Sequence, residues 1–262
     1  MSTPELTYHQ LAAGVTAFST TRRGGVSQGS HGSLNVNAYC GDEPASVAQN
    51  RRLLSEALGL SGPKRLVMPH QVHGTAVRHV DAGFLALPAD RQAALLEGVD
   101  ALMTREAEVC IGVSTADCIP VLVYDPVQRA ACAIHAGWRG TVARIVVAAV
   151  REMAQAFGSR PADLKAVIGP GISLRNFEVG QEVYDQFAQA GFDMAAIACR
   201  QQKWHIDLPL CNRMQLEACG VGGANILSCG ICTYDSVSDY FSARRLGIDS
   251  GRIFSGIVIH HP

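Results

Sequence analysis

The chain has 262 residues, 48% of them apolar and 17% charged, with 22 Lys and Arg against 23 Asp and Glu for a formal net charge of -1. This length predicts one large domain over residues 1–262, and the composition excludes a chain kept disordered by its own charge. The balanced charge offers no global field to recruit nucleic acid or an anionic membrane, and the apolar run 145–150, closed by Arg144 and Arg151, falls far short of the roughly 20 residues a membrane span needs.

The first residues, Met-Ser-Thr-Pro-Glu-Leu-Thr-Tyr, hold neither a basic leader nor an apolar core before a cleavage site, which predicts a cytoplasmic protein. Residues 11–21 read as a strand that opens into the glycine-rich loop Arg22-Arg23-Gly24-Gly25-Val26-Ser27. Val47, Leu53, Leu54 and Leu58 recur near helical spacing, so 45–58 reads as a helix stopped by Gly59. Residues 67–73 and 76–80 read as extended pieces broken at Gly74, and 109–113 and 119–124 as strands, the second closed by Asp125-Pro126. The apolar run 130–135 meets Ala136-Gly137-Trp138-Arg139-Gly140, after which Val142, Ile145, Val146, Ala149, Val150 and Met153 mark an amphipathic helix over 141–157. A strand, a tight loop and a helix start in that order place loop side chains beside backbone N–H groups that favour anions. Residues 181–190 and 208–219 read as helices, and 226–232 and 253–259 as strands. Short strands mixed with helices, with no repeat and no long linker, predict an α/β or α+β layered domain.

Nine cysteines, an odd number without a compact framework, predict reduced thiols. Three clusters stand at expected strand ends: Pro69-His70-Gln71-Val72-His73-Gly74, Thr115-Ala116-Asp117-Cys118-Ile119-Pro120 and His135-Ala136-Gly137-Trp138-Arg139-Gly140. Their wide separations match no zinc finger and no His-Glu-x-x-His helix. Two imidazoles and one thiolate form a legitimate three-ligand zinc set with an open fourth position, and equally a nucleophile with its base. A core thiol and a satisfied strand-end histidine explain the same residues without function. His70 and His79 are expected to face solvent or bond locally, Trp138 and Trp204 to pack, and Cys229-Gly230-Ile231-Cys232 lacks the second pair of a zinc ribbon. Arg244 and Arg245 offer guanidinium forks for phosphate or carboxylate. Even charge and the lack of an apolar seam predict a monomer.

Thr-Thr-Arg-Arg-Gly-Gly-Val-Ser at 20–27, Ser33-Leu34-Asn35, Gln71-Val72-His73-Gly74, Ala116-Asp117-Cys118-Ile119-Pro120 and His135-Ala136-Gly137-Trp138-Arg139-Gly140 occur in that order. Together they resemble the laccase-domain family, also known under the names multicopper polyphenol oxidase and purine nucleoside phosphorylase. The match continues through Ile168-Gly169-Pro170, Glu178-Val179-Gly180, Cys232-Thr233 and Phe241-Ser242. The chain departs from the pattern at Gly171-Ile172-Ser173, where many members carry a cysteine, and at Phe177, where a tyrosine is expected.

The resemblance implies a single four-layer α-β-β-α domain with mixed sheets, similar to the catalytic domain of cytotoxic necrotizing factors. It implies a catalytic and metal-binding centre of His73, Cys118 and His135, holding zinc or alternatively copper. It further implies phosphate-dependent cleavage of adenosine, inosine, guanosine and methylthioadenosine, with deamination of adenosine. Zinc at that centre would activate water for attack on C6 of adenosine, with Asp117 as the neighbouring proton carrier provided the backbone breaks there. Arg22, Arg139 and Arg244 are the expected phosphate forks, and Asn35 a further substrate contact. Nine histidines with one convincing cluster make a multicopper oxidase hard to build. A metal-free Cys118–His135 hydrolase acting on a peptidoglycan precursor stays open, since some relatives are described as peptidoglycan editing factors.

Overall fold

Strands buried on both faces must be covered on both, and the two apolar runs at the chain's centre are buried at every position. In the computed structural model, which describes residues 3–261, Ile119–Asp125 and Ala130–Ala136 form an antiparallel hairpin at the middle of a six-stranded sheet. Its strand order is Ile226–Ser228, Lys165–Ile168, Ile119–Asp125, Ala130–Ala136, Ala101–Thr104, Val77–His79, and both edge strands pair in parallel. Val121, Val123, Cys132 and Ile134 point to one side, where they pack with Ile145, Ala149 and Met153 of helix Ile145–Phe157 and with Leu216 of helix Leu208–Ala218. Leu122, Tyr124, Ala131 and Ala133 point to the other side.

That second side meets a five-stranded sheet, ordered Leu6–His9, Val15–Thr20, Ile253–Ile259, Cys110–Thr115, Leu66–Val67, through Ala17, Ile111, Val113 and Ile257. The far face of this sheet is covered by Leu54 of helix Pro44–Ala57, packed with Phe18, Cys110, Phe254 and Val258. The layers therefore run helix, sheet, sheet, helix. A small antiparallel sheet of Glu178–Val179, Trp204–Ile206 and Ala198–Arg200 is not hydrogen-bonded to the other two and packs Val179 and Ile206 into the core on the helix side of the six-stranded sheet. No helix among the described residues is long and apolar enough to cross a membrane.

The structure corrects several boundaries. The helix expected over 141–157 is two helices, Trp138–Val142 and Ile145–Phe157, because Arg144 turns left-handed at φ 65°. Its guanidinium donates to Ala190 O at 2.7 Å and covers the Phe192 ring at 3.8 Å, contacts that lie outside any local pattern. The extended piece expected over 67–73 is a strand only at Leu66–Val67, and the one expected over 226–232 stops at Ser228. Ala101–Thr104 escapes sequence reading because four residues buried on both faces show no alternation.

Gly112 and Gly256 sit opposite each other on paired strands, and the Phe254 ring lies across both. A Cβ on Gly112 would stand 2.2 Å from Phe254 Cζ. Gly112→Ala is therefore expected to destabilise the chain by about 1–3 kcal/mol through overpacking, read as a lower denaturant midpoint.

Candidate active site

The chain crosses from the five-stranded to the six-stranded sheet between Thr115 and Ile119, and the crossing residues deliver Cys118 to one end of the sandwich. Asp117 adopts φ 87°, so the strand alternation breaks there. His135 is one residue from the end of Ala130–Ala136 and shares the inner face with Ala131 and Ala133, which places it between the sheets. His73 comes from the loop that follows Leu66–Val67, at φ 64°. Gln71 holds that loop to the neighbouring strand, donating from Nε2 to Ser114 O and accepting from Ser114 N, both at 2.8 Å.

The ligand-type atoms of His73, Cys118 and His135 lie within 4.8 Å of one another, with His73 exposed, Cys118 half-buried and His135 buried. The His73 and His135 rings meet edge-on, centroids 4.8 Å apart. Gly137 makes this approach possible: a Cβ there would stand 2.7 Å from His73 Cδ2 and 3.0 Å from Cys118 Sγ.

Asp100, fully buried, organises the group. Its Oδ1 accepts from His135 Nδ1 at 2.7 Å and from His73 N at 2.9 Å, while Oδ2 accepts from Gly74 N at 2.7 Å and Val72 N at 3.2 Å. With Nδ1 donating to the carboxylate, His135 keeps Nε2 for the cavity, the arrangement of a metal-ligating histidine. Burial disfavours the Cys118 thiolate, but the charge and hydrogen bonds of His135 and His73 outweigh it and bring its pKa down to about 6. Burial likewise disfavours the His135 cation, and the Cys118 and Asp100 charges overcome it, raising that pKa to about 9. Each group thus favours the charged form of the other, thiolate beside imidazolium.

These residues form one side of a cavity of about 250 Å³ that also reaches Asn37, Tyr39, Thr115, Ile248 and Arg252. None of the residues lining it is a carboxylate, and Arg252 is its one arginine. Thr115 Oγ1 is buried with no hydrogen-bond partner among the described residues.

The remaining sequence candidates do not line this cavity, and all but Arg139 are tied to the scaffold by hydrogen bonds. Arg22 donates to Gly32 O and Val237 O and covers Phe241. Asn35 is fully buried, donating to Asn37 O and Asp42 Oδ2. The break at Asp117 does occur, but its carboxylate accepts from Thr233 Oγ1 and Arg244 N, both at 2.7 Å, instead of entering the cavity. Arg139 is exposed and lies over Trp138, and Arg244 donates to Glu178 O. His70, expected to bond locally, pairs with Glu97 at 2.7 Å and reaches the cavity as well. Sequence reading missed Asp100 and Arg252. A single acid inside Val99-Asp100-Ala101-Leu102-Met103 was the available signal for the first, since a lone carboxylate in an apolar run must be paired.

A family model described as multi-copper polyphenol oxidoreductase laccase matches residues 16–260. The chain belongs to this family. It is 47% identical to a purine nucleoside phosphorylase of Bacteroides thetaiotaomicron, covering 97% of this chain and 96% of the relative. It is 43% identical to adenosine deaminase RL5 of an unknown prokaryotic organism, covering 97% of each. Among solved structures, YlmD from Geobacillus stearothermophilus superposes with a TM-score of 0.88 at 32% identity, over 95% of this chain and 93% of that one.

Two outcomes are expected. In metal-free protein, alkylation of Cys118 by iodoacetamide should rise with pH through a midpoint near 6 and level off by neutrality, and His135→Ala should move that midpoint upward by removing the neighbouring cation. Asp100→Asn, which sets an amide donor against the N–H groups of Val72 and Gly74, should weaken zinc binding by about 10- to 100-fold in a competition titration.

Proposed function

We propose that the chain is a metal-dependent purine nucleoside phosphorylase, acting on adenosine, inosine, guanosine and methylthioadenosine, with adenosine deamination as a second activity of the same site. The observation that carries this reading is a His/Cys/His group at a cavity free of carboxylates and bordered by an arginine. The names of the relatives at 47% and 43% identity support it.

The donor set fits a zinc-type cation: two imidazoles, one acidified thiol, a carboxylate behind one imidazole and an open side toward the cavity. His73, Cys118 and His135 would hold the ion, which when bound supplies Lewis acidity. Copper is the alternative occupant. Among the described residues only this one group of three has metal-binding spacing, which suits a single ion better than a multicopper oxidase.

In phosphorolysis a phosphate oxygen bonds to C1′ of the ribose as the C1′–N9 bond breaks, and the base leaves with the bonding pair and takes up a proton. The reaction brings its own nucleophile, so the protein must place a dianion and not repel it. A cavity without carboxylates meets that demand, and Arg252, whose guanidinium also donates to the carbonyls of Ile248, Ser250 and Gly251, is the one arginine on its wall and the cation nearest to an incoming phosphate. Zinc deaminases use a glutamate to carry protons, and none lines this cavity. Phosphorolysis is therefore the primary reading and deamination the secondary one.

A second reading has its own support. Cys118, His135 and Asp100 form a nucleophile, base and orienting acid, the order a cysteine hydrolase requires. Such an enzyme, acting on a cell-wall precursor, would keep its activity after chelation.

Zinc-reconstituted protein incubated with inosine and phosphate should yield hypoxanthine and ribose 1-phosphate by chromatography. Chelation, Cys118→Ala and His135→Ala should each abolish the products, and Arg252→Met should raise the phosphate KM at least several-fold. Absence of nucleoside cleavage under all conditions, or cleavage indifferent to Cys118→Ala, would defeat the proposal.

A further inference from the structure

Resting on the nucleoside reading above, we propose that Tyr39 and Ile248 form the slot that receives the purine base. Tyr39 is 52% exposed and Ile248 72% exposed, among the larger apolar side chains left to solvent, and both line the cavity that holds the His/Cys/His group. Scattered exposed apolar residues need no explanation, but two on the walls of one cavity supply the flat, dry contact that a heterocycle seeks.

The tyrosine is held in place for this use. One face of its ring stacks on His70, centroids 4.0 Å apart and planes 19° from parallel. His70 is in turn fixed by Glu97, whose Oε1 and Oε2 accept from Nδ1 at 2.7 and 2.8 Å, and by its own N–H donating to Leu96 O. On the other flank Tyr39 N donates to Asn37 Oδ1 at 2.6 Å, and Asn37 Nδ2 donates to Ser114 Oγ at 2.6 Å beside the catalytic end of the sandwich. The ring therefore loses little freedom when a base stacks on it. Ile248 is steadied by Arg252, whose Nη2 donates to its carbonyl at 2.7 Å. Ile248 and Arg252 therefore stand together on the wall of the cavity. Stacking tolerates any purine, which agrees with a site that accepts adenine, hypoxanthine and guanine alike.

Tyr39→Ala, Tyr39→Phe and Ile248→Ser are compared with wild type in the zinc-loaded protein, because substitutions at exposed positions change stability little, and the thermal midpoint checks this directly. The slot requires a nucleoside KM raised about ten-fold or more in Tyr39→Ala, near wild type in Tyr39→Phe and raised in Ile248→Ser, with the phosphate KM unchanged. Glu97→Gln, which touches only the positioning of His70, should give a smaller rise in nucleoside KM with kcat kept. Calorimetric binding of inosine and of ribose 1-phosphate, which has no base, provides a readout independent of turnover. Inosine affinity lost in Tyr39→Ala while ribose 1-phosphate affinity persists supports the slot even if wild type cleaves nothing and the phosphorylase reading falls. Equal inosine affinity in wild type and Tyr39→Ala, or no inosine binding by wild type, overturns it.

Discussion

The site depends on one buried carboxylate. Asp100 accepts from the His135 ring and from three successive backbone N–H groups at 72–74, so a single side chain sets both the tautomer of one imidazole and the path of the loop that carries the other. A carboxylate taken from water is costly unless every lone pair is used, and here four donors use them. Stripping one partner from such a buried pair typically costs about 3–5 kcal/mol. The same network explains why His73 tolerates a left-handed backbone: two flanking N–H groups and its own are tied to one acceptor, which over-determines the turn.

The fold decides where this can happen. Two sheets packed face to face fill their shared interior with Leu122, Ala133, Ile111 and Val113, and the interior opens at the end that carries the cavity. There the inward-facing position on one strand becomes His135, and the crossing between sheets supplies Cys118. Small residues are part of the same design. Gly137 leaves room for the imidazole and the thiol to meet, as Gly112 and Gly256 leave room for the Phe254 ring deeper in the sheet.

Much of this was legible in the chain. Central strands announce themselves as unbroken apolar runs, and His73, Cys118 and His135 each stand in a cluster at an expected strand end; the structure brings the three together, with His73 delivered by the loop after Leu66–Val67 instead of by a strand end. Polar residues were harder to read, because a guanidinium or an amide serves a ligand and a loop with the same atoms. Arg22 and Asn35 lie in conspicuous loop motifs and spend their hydrogen bonds on the backbone and on neighbouring side chains. Arg252 precedes a strand with no motif around it, yet register places it beyond the Ile253–Thr115 pair, beside the crossing that carries Cys118. Only long-range pairing reveals that, and single-sequence periodicity carries no information about it.

The electrostatics also separate tasks that sequence alone leaves merged. Cys118 and His135 stabilise each other as thiolate and imidazolium, and Asp100 adds a second negative charge behind the ring. A cation arriving at His135 Nε2 must displace that proton, so metal and proton compete for one lone pair, with the thiolate favouring either guest. Whichever occupies it, the negative charge of Asp100 stays screened from the cavity by the imidazole, and no other carboxylate lines the wall. A proton on Nε2 leaves one of the two negative charges of Cys118 and Asp100 in excess, whereas a divalent ion there would balance both, and Arg252 is the arginine on the wall. Under the phosphorylase reading proposed above, it is the balanced site that an incoming phosphate would approach without repulsion.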